Sequence, residues 1–310
     1  MHAPKPNRNA WRKRRTEMQA GGDRFGPEGP HSRNRWQLLK LAIRVFGLGL
    51  KAVGLYERGV RNALDIRLTR LEFRFPDLPA AFDGFTILQL TDLHVDGLPG
   101  TMEAARAHAA DLDVDLCVLT GDYRFRVQGP YEQILPGMAE LVAAVRARHG
   151  IVGVLGNHDD AEMVDAFEDL GIAMLVNEYR TIERNGQAIH VAGTDDVHYY
   201  YTGAAPAALT VTPPGFRIAL IHSPELADMA AAQGFSLYLA GHTHGGQVCL
   251  PGGVPVITHV GRFRRFARGR WQLGDMQGYT STGVGISALP VRFNNRGEVA
   301  LITLRRGEGP

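Results

Sequence analysis

From residue 85 onward the apolar positions fall into short blocks, "FTILQL", "DLCVLT", "GIVGVLG", "FRIALI" and "FSLYLA", separated by longer segments of mixed polarity. Within each block the apolar residues are nearly consecutive rather than alternating, so each predicts a strand buried on both faces. The intervening "MEAARAHAADL", "YEQILPGMAELVAAVRARH" and "DAEMVDAFEDLG" predict helices. Short buried strands alternating with helices predict an α/β domain of stacked layers, placed at residues 75–305.

The pattern before residue 70 is different. Over residues 36–64, Lys40, Arg44, Lys51 and Arg58 fall within about 40° of one another at helical spacing, with Gly47 and Gly54 beside them. Leu41, Val45, Phe46, Leu48, Leu50, Ala52, Val53 and Tyr56 occupy the remaining arc, which predicts one basic amphipathic helix preceding the domain. Lys40, Arg44 and Lys51 lie inside the apolar stretch and would each cost a few kcal/mol at mid-bilayer. A helix lying in the membrane interface, its cations toward anionic headgroups, fits better than a spanning one. The alternative is a helix packed on its own domain.

Residues 1–35 are rich in Arg, Gly and Pro and poor in aliphatics, which predicts a disordered basic tail. Arg14 and Arg15 are adjacent, but a long polar stretch separates them from the apolar run, and no small-residue cleavage site closes that run. The chain is accordingly expected at the cytoplasmic face of the inner membrane, peripherally attached.

Charge sharpens this division. Residues 1–70 hold 16 Lys or Arg against 5 Asp or Glu, net +11, whereas residues 71–310 hold 18 against 27, net −9. A basic tail raises nucleic-acid binding; the aliphatic helix beside it makes an anionic membrane surface the expected partner, and no nucleic acid is expected. Cys117 and Cys249 are the only cysteines, too few and too far apart for a disulfide framework or a zinc knuckle.

The chemistry gathers where the strand blocks stop. They run into "TDLHVD", "GDYR", "GNHDD", "HSPE" and "GHTHGG", five endings on Asp, Asn or His, on the side where open α/β sheets bind ligands. His242 and His244 share one side of an extended segment, and Gly241, Gly245 and Gly246 permit a close backbone approach. Such a cluster without a cation would be costly to desolvate. Mixed oxygen and nitrogen donors suit Mn, Fe or Zn rather than Ca or a thiolate-bound metal.

Asp92-x-His94, Gly121-Asp122, Gly156-Asn157-His158-Asp159, His222 and Gly241-His242-x-His244 resemble, in order, the motif series of the calcineurin-like metallophosphoesterases over roughly residues 82–250. The closing "TSTGVGISALPVRFNNRGEVALITL" is similar to a branch of membrane-associated bacterial phosphodiesterases of YkuE/YaeI type. The resemblance implies a layered β-sandwich flanked by helices and two divalent metal ions. It implies that Asp92, His94 and His244 hold one ion, that Asn157, His222 and His242 hold the other, and that Asp122 bridges them. It also implies that hydroxide from a water shared by the ions attacks phosphorus. His158 resembles the family's non-ligand histidine at the leaving group or a phosphate oxygen, and Asp159 is expected to orient its imidazole or to cap the following helix.

The expected substrate carries a phosphodiester or pyrophosphate, for which lipid-linked UDP-2,3-diacylglucosamine is the specific expectation and a cyclic nucleotide or phosphoprotein the soluble alternative. "GRFRRFARGRW" interleaves Arg262, Arg264, Arg265, Arg268 and Arg270 with aromatics, and its first three arginines are candidate substrate contacts, against a solvated basic loop. "GTDDVHYYYTG" is either a cleft wall or an ordinary packed loop, and His190 reads as a sheet histidine. His108, His149 and His259 are assigned no role.

Overall fold

Ile87, Leu116 and Val118 point to one side of their sheet and Leu88, Leu90, Cys117 and Leu119 to the other, and all are buried. Both faces are covered, which is why these segments read as continuous apolar runs. A computed structural model describes residues 8–21 and 33–308.

Three helices come first, α1 (Arg8–Gly21), α2 (Arg33–Ala52) and α3 (Tyr56–Leu64). The next stretch holds β1 (Arg67–Phe75), β2 (Thr86–Leu90), α4 (Thr101–Ala110), β3 (Asp113–Val114), β4 (Leu116–Leu119), α5 (Leu135–Ala144), β5 (Arg146–Ala147), β6 (Ile151–Gly153), α6 (Met163–Asp169) and β7 (Ile172–Met174). The last holds β8 (Glu178–Arg184), β9 (Gln187–Gly193), α7 (Ala204–Val211), β10 (Arg217–Leu220), α8 (Ala227–Ala232), β11 (Leu237–Ala240), β12 (Gly269–Leu273), β13 (Met276–Thr280) and β14 (Glu298–Arg306). The predicted helix in "YEQILPGMAELVAAVRARH" is shorter than its pattern, because the chain leaves α5 after Ala144 and enters β5.

Two six-stranded sheets stack face to face, in the orders β1-β14-β2-β4-β6-β7 and β12-β13-β11-β10-β9-β8. Strands β2, β4, β6 and β7 run parallel, as do β9, β10, β11 and β13. Ile87, Val118 and Val152 of the first sheet meet Ile218, Leu220, Leu237 and Leu239 of the second in the central core. Ala105, Met138 and Phe167, from α4, α5 and α6, cover the first sheet's outer face, and Leu209 and Ala230, from α7 and α8, cover the second. This is the layered α/β sandwich flanked by helices that the resemblance implies. Near the strand ends the fully buried Gln89 crosses the core, donating from Nε2 to the Ala240 carbonyl at 2.9 Å and the Thr120 hydroxyl at 3.2 Å. The second sheet's histidines are thereby tied in register with the first sheet's carboxylates.

The amino-terminal reading needs two corrections. The predicted tail contains a helix over Arg8–Gly21, docked on the sandwich; residues 1–7 and 22–32 of that tail lie outside the described residues. Its composition cannot build a core, so its order comes from docking. Arg8 pairs with Glu168 and Glu178 at 2.6 Å each, and Arg12 with Asp165 at 2.5 Å. The charge asymmetry of the two parts is thus partly satisfied within the molecule. The single helix predicted over 36–64 is instead two, because Gly54 adopts φ 72° and ends α2. Beyond it α3 turns onto the domain, where a Cβ on Gly59 would lie 2.6 Å from Val291 Cβ. Gly59→Leu therefore overpacks this contact, and chemical denaturation should show a loss of about 1–3 kcal/mol.

Candidate metal centre

Five candidate ligands leave their strands with a backbone that side-chain-bearing residues rarely adopt. Asp92, His94, Asp122, His242 and His244 have φ of 50°, 42°, 59°, 70° and 48°. Each costs of order 1 kcal/mol or more, and each turns a side chain from the strand end into the space between the sheets. Two glycines leave room for this: a Cβ on Gly156 would overlap Asp122 Oδ1, and one on Gly241 would overlap Asp92 Oδ2.

The side chains converge as two buried groups, Asp92 with His94 and His244, and Asp122 with His222 and His242. In the first, His94 Nε2 lies 3.1 Å from His244 Nε2, and His244 Nε2 lies 3.4 Å from Asp92 Oδ1. In the second, Asn157 Oδ1 lies 2.8 Å from His242 Nδ1 and 3.2 Å from His222 Nε2. Asp122 Oδ2 stands between them, 3.3 Å from His222 Nε2 and 3.9 Å from both His94 Nε2 and His158 Nε2. All seven predicted ligands are brought together.

The donor set fits divalent cations. The Arg124 carbonyl faces His94 Nδ1 at 2.8 Å and the Thr120 carbonyl faces His222 Nδ1 at 2.7 Å, each taking that N–H and leaving an Nε2 lone pair directed inward. His242 is held the other way round, its Nε2–H toward the His259 carbonyl at 3.2 Å and Nδ1 toward Asn157. Inward lone pairs beside two buried carboxylates call for positive charge. Burial pushes His222 down, yet the Asp122 charge and hydrogen bond outweigh it and raise the imidazole to about 10. Burial likewise disfavours ionised Asp122, but His222 and His158 hold its carboxyl well below the usual range. A bound dication answers the same demand.

His158 and Asp159 share a loop but not a task. His158 Nδ1 meets the Phe125 carbonyl at 2.7 Å, which aims Nε2 at the centre. Asp159 does not cap a helix; α6 begins at Met163 after Glu162. Its carboxylate accepts the backbone N–H of Asp122 at 2.8 Å, Tyr123 at 2.9 Å and Gly156 at 2.7 Å, binding the two ligand loops together. Burial and the Asp122 charge push Asp159 up to about 7, against the N–H groups of Gly156 and Tyr123.

The sequence-predicted arginines are not brought to this centre. Arg262, Arg264 and Arg265 are exposed; Arg262 turns to Asp228 at 2.6 Å and Arg265 lies over the Phe266 ring. Their segment adjoins the site through its backbone, where Ala267 O accepts from Thr243 Oγ1. Three other arginines, each nearly or fully buried, approach the ligand loops. Arg292 Nη2 stands 3.4 Å from His244 Nδ1, and Arg124 Nε donates to the His158 carbonyl at 2.7 Å. The third is Arg15 of α1. Its guanidinium reaches the Asp159 carbonyl at 2.8 Å, the Gly156 carbonyl at 3.4 Å and Asp195 at 3.2 Å, stacked on Tyr200.

A further residue belongs to the "GTDDVHYYYTG" loop. His198 Nδ1 pairs with Glu225 Oε2 at 2.9 Å, and its ring packs 4.3 Å from that of His242. That loop thus backs the second ligand group. The only sequence signal was a histidine beside two carboxylates, which is too common to single out.

Arg15 bonds the carbonyls on either side of Asn157 and His158, so it acts as a positioning residue for that loop. Arg15→Ala should weaken divalent-metal binding about 10–100-fold, as read by Mn²⁺ titration calorimetry. Arg15→Lys should restore little, because an ammonium lacks the planar guanidinium that meets both carbonyls through Nη2, reaches Asp195 through Nη1 and stacks on Tyr200.

With this geometry in place, the relationships of the chain can be stated. A family model described as calcineurin-like phosphoesterase matches residues 85–246, just over half of the chain and all seven candidate ligands. The chain is 29% identical over 243 residues to the uncharacterized metallophosphoesterase YkuE of Bacillus subtilis, covering 74% of this chain and 82% of that one. It is 27% identical to YkoQ of the same organism, covering 84% and 97%. It is 27% identical to the phosphodiesterase YaeI of Escherichia coli, covering 71% and 82%. The chain belongs to the calcineurin-like phosphoesterase family, in its YkuE- and YaeI-like branch, and is a hydrolase of phosphoric ester bonds.

Proposed function

We propose that this hydrolase works at a membrane surface on a phosphodiester or pyrophosphate bond of a lipid-linked substrate, with UDP-2,3-diacylglucosamine as the specific candidate. One observation carries the membrane part of the reading. Helix α2 packs on the domain through Gly47 and Leu50 and turns Leu38, Leu41, Val45 and Leu48 outward, each 57–66% exposed. A contiguous apolar face of that kind, flanked by exposed Lys40, Arg44 and Lys51, suits an anionic interface. Among the described residues no helix is long and apolar enough to cross a membrane. Peripheral attachment at the cytoplasmic face of the inner membrane accords with this surface.

In the proposed roles Asp92, His94 and His244 hold one divalent ion, Asn157, His222 and His242 hold a second, and Asp122 is shared. Two such ions, Mn, Fe or Zn, supply Lewis-acid polarisation of the phosphoryl group and activation of the attacking water. The chain contributes the rest. The carbonyls of Arg124, Thr120 and His259 lock the ligand tautomers, and Asp159 with Arg15 holds the Asn157 loop in place. His158, anchored through Nδ1, presents Nε2 at the centre to bond a phosphate oxygen or pass a proton to the leaving oxygen.

Asp122→Ala should lower turnover of bis(p-nitrophenyl) phosphate roughly 10³-fold. EDTA should abolish that activity and added Mn²⁺ restore it; wild-type turnover by the variant would overturn the assignment. Replacing both Leu41 and Leu48 by Glu should reduce binding to anionic vesicles roughly 100-fold, since two large side chains lose their apolar partner. Unchanged co-sedimentation would instead favour a soluble substrate.

A further inference from the structure

A crevice of about 420 Å³ adjoins the metal centre, between α2 and the loop that follows Cys249. Ile43 and Phe46 of α2 line it from one side and Val256 and Ile257 of the loop from the other, and the candidate ligand His244 is also part of its lining. That volume lies within the roughly 300–1,000 Å³ of small-molecule sites. Most of its surface is apolar, although its lining includes His244, which belongs to the polar group with Asp92 and His94. Only a ligand of divided character matches both ends, with phosphate at His244 and a flexible hydrocarbon tail along the walls.

The outer end supports the same occupant. Leu250, Val254, Val256 and Ile257 are 43–58% exposed on the loop side, and on α2 the lining residue Phe46, 44% exposed, leads round the helix past Leu38 and Val45 to the outward face. The apolar rim is therefore continuous with the surface proposed to face the membrane, and a chain passing from bilayer to crevice stays on apolar surface throughout. The slot exists because α2 rests on a narrow footing. Gly47 sits against Leu289, where a Cβ would lie 3.1 Å from Cδ1, and a Cβ on Gly49 would meet nothing within 4 Å.

We infer that this crevice is an acyl-chain site: one fatty acyl chain of the substrate lies between α2 and the 248–257 loop while its phosphoester group lies at His244. The inference rests on the lipid-linked reading above and adds to it a chain-length selection made by the protein rather than by the membrane.

The test uses the full chain with Mn²⁺ and a series of acylated phosphodiesters of increasing chain length. Each is kept monomeric, without vesicles, and its rate is normalised to the same enzyme's rate on tail-less bis(p-nitrophenyl) phosphate. For the wild type, kcat/KM should rise up to about fourfold per added methylene until the crevice is filled, then level off. Ile43→Trp and Val256→Trp, which narrow the crevice from opposite walls, should each shift the optimum to shorter chains and lower the long-to-short ratio at least tenfold. A flat wild-type profile overturns the acyl site while leaving the phosphoesterase intact, and so does a ratio unmoved by both variants. Failure to hydrolyse any diester, the tail-less one included, overturns the underlying reading instead. A concentration-dependent dimer in sedimentation that Ile43→Trp abolishes would assign the crevice to a second copy of the chain and overturn the acyl assignment.

Discussion

The constraint on the candidate centre is two carboxylates held where burial disfavours their charge. Asp92 and Asp122 are buried at the ends of β2 and β4, and burial alone would drive a proton onto each. What prevents this for Asp122 is the positive charge of His222 and His158 beside it, together with the hydrogen bond from His222. Cations are the economical solution, and the strained backbone at five ligands is the cost of aiming those donors at one point. The hydrophobic sandwich supplies the rigidity that holds that geometry.

The second consequence is that the centre belongs to neither sheet. Asp92, His94, Asp122 and Asn157 come from the first sheet, and His222, His242 and His244 from the second. Any shift of one sheet against the other would separate Asp122 from His222. Gln89 resists this by crossing the core to the Ala240 carbonyl, and Asp159 ties the loops after β4 and β6 by three backbone hydrogen bonds. Helix α1 adds a brace from outside, where the buried Arg15 reaches through to that same loop.

The two amino-terminal helices divide the electrostatic and the apolar work. Arginines of α1 meet the acidic surface of the domain, while α2 keeps its widest apolar face outward and borders the crevice beside His244. Candidate ligands, apolar crevice and outward face thus neighbour one another, which is the arrangement the proposed lipid-linked substrate rests on.

The strands, the α/β layering and the seven candidate ligands were legible in the chain itself, because a doubly buried strand must be continuously apolar and Asp, Asn and His stand where those runs end. The order of α1 was not legible. A basic segment without a core cannot fold alone, and the acidic partners Glu168, Glu178 and Asp195 lie far away in sequence. Adjacency to His158 suggested a ring contact for Asp159, and only the fold shows its carboxylate accepting the backbone N–H groups of Asp122 and Tyr123 in the loop after β4. The arginines of "GRFRRFARGRW" show the converse: their spacing matched phosphate chemistry, but Arg262 is turned to Asp228, away from the centre. Sequence by itself determined which atoms are available as ligands and what reaction they serve. Tertiary structure decided how closely those atoms converge, which arginines reach them and where the apolar crevice opens, because those depend on where separate strands and helices meet in space.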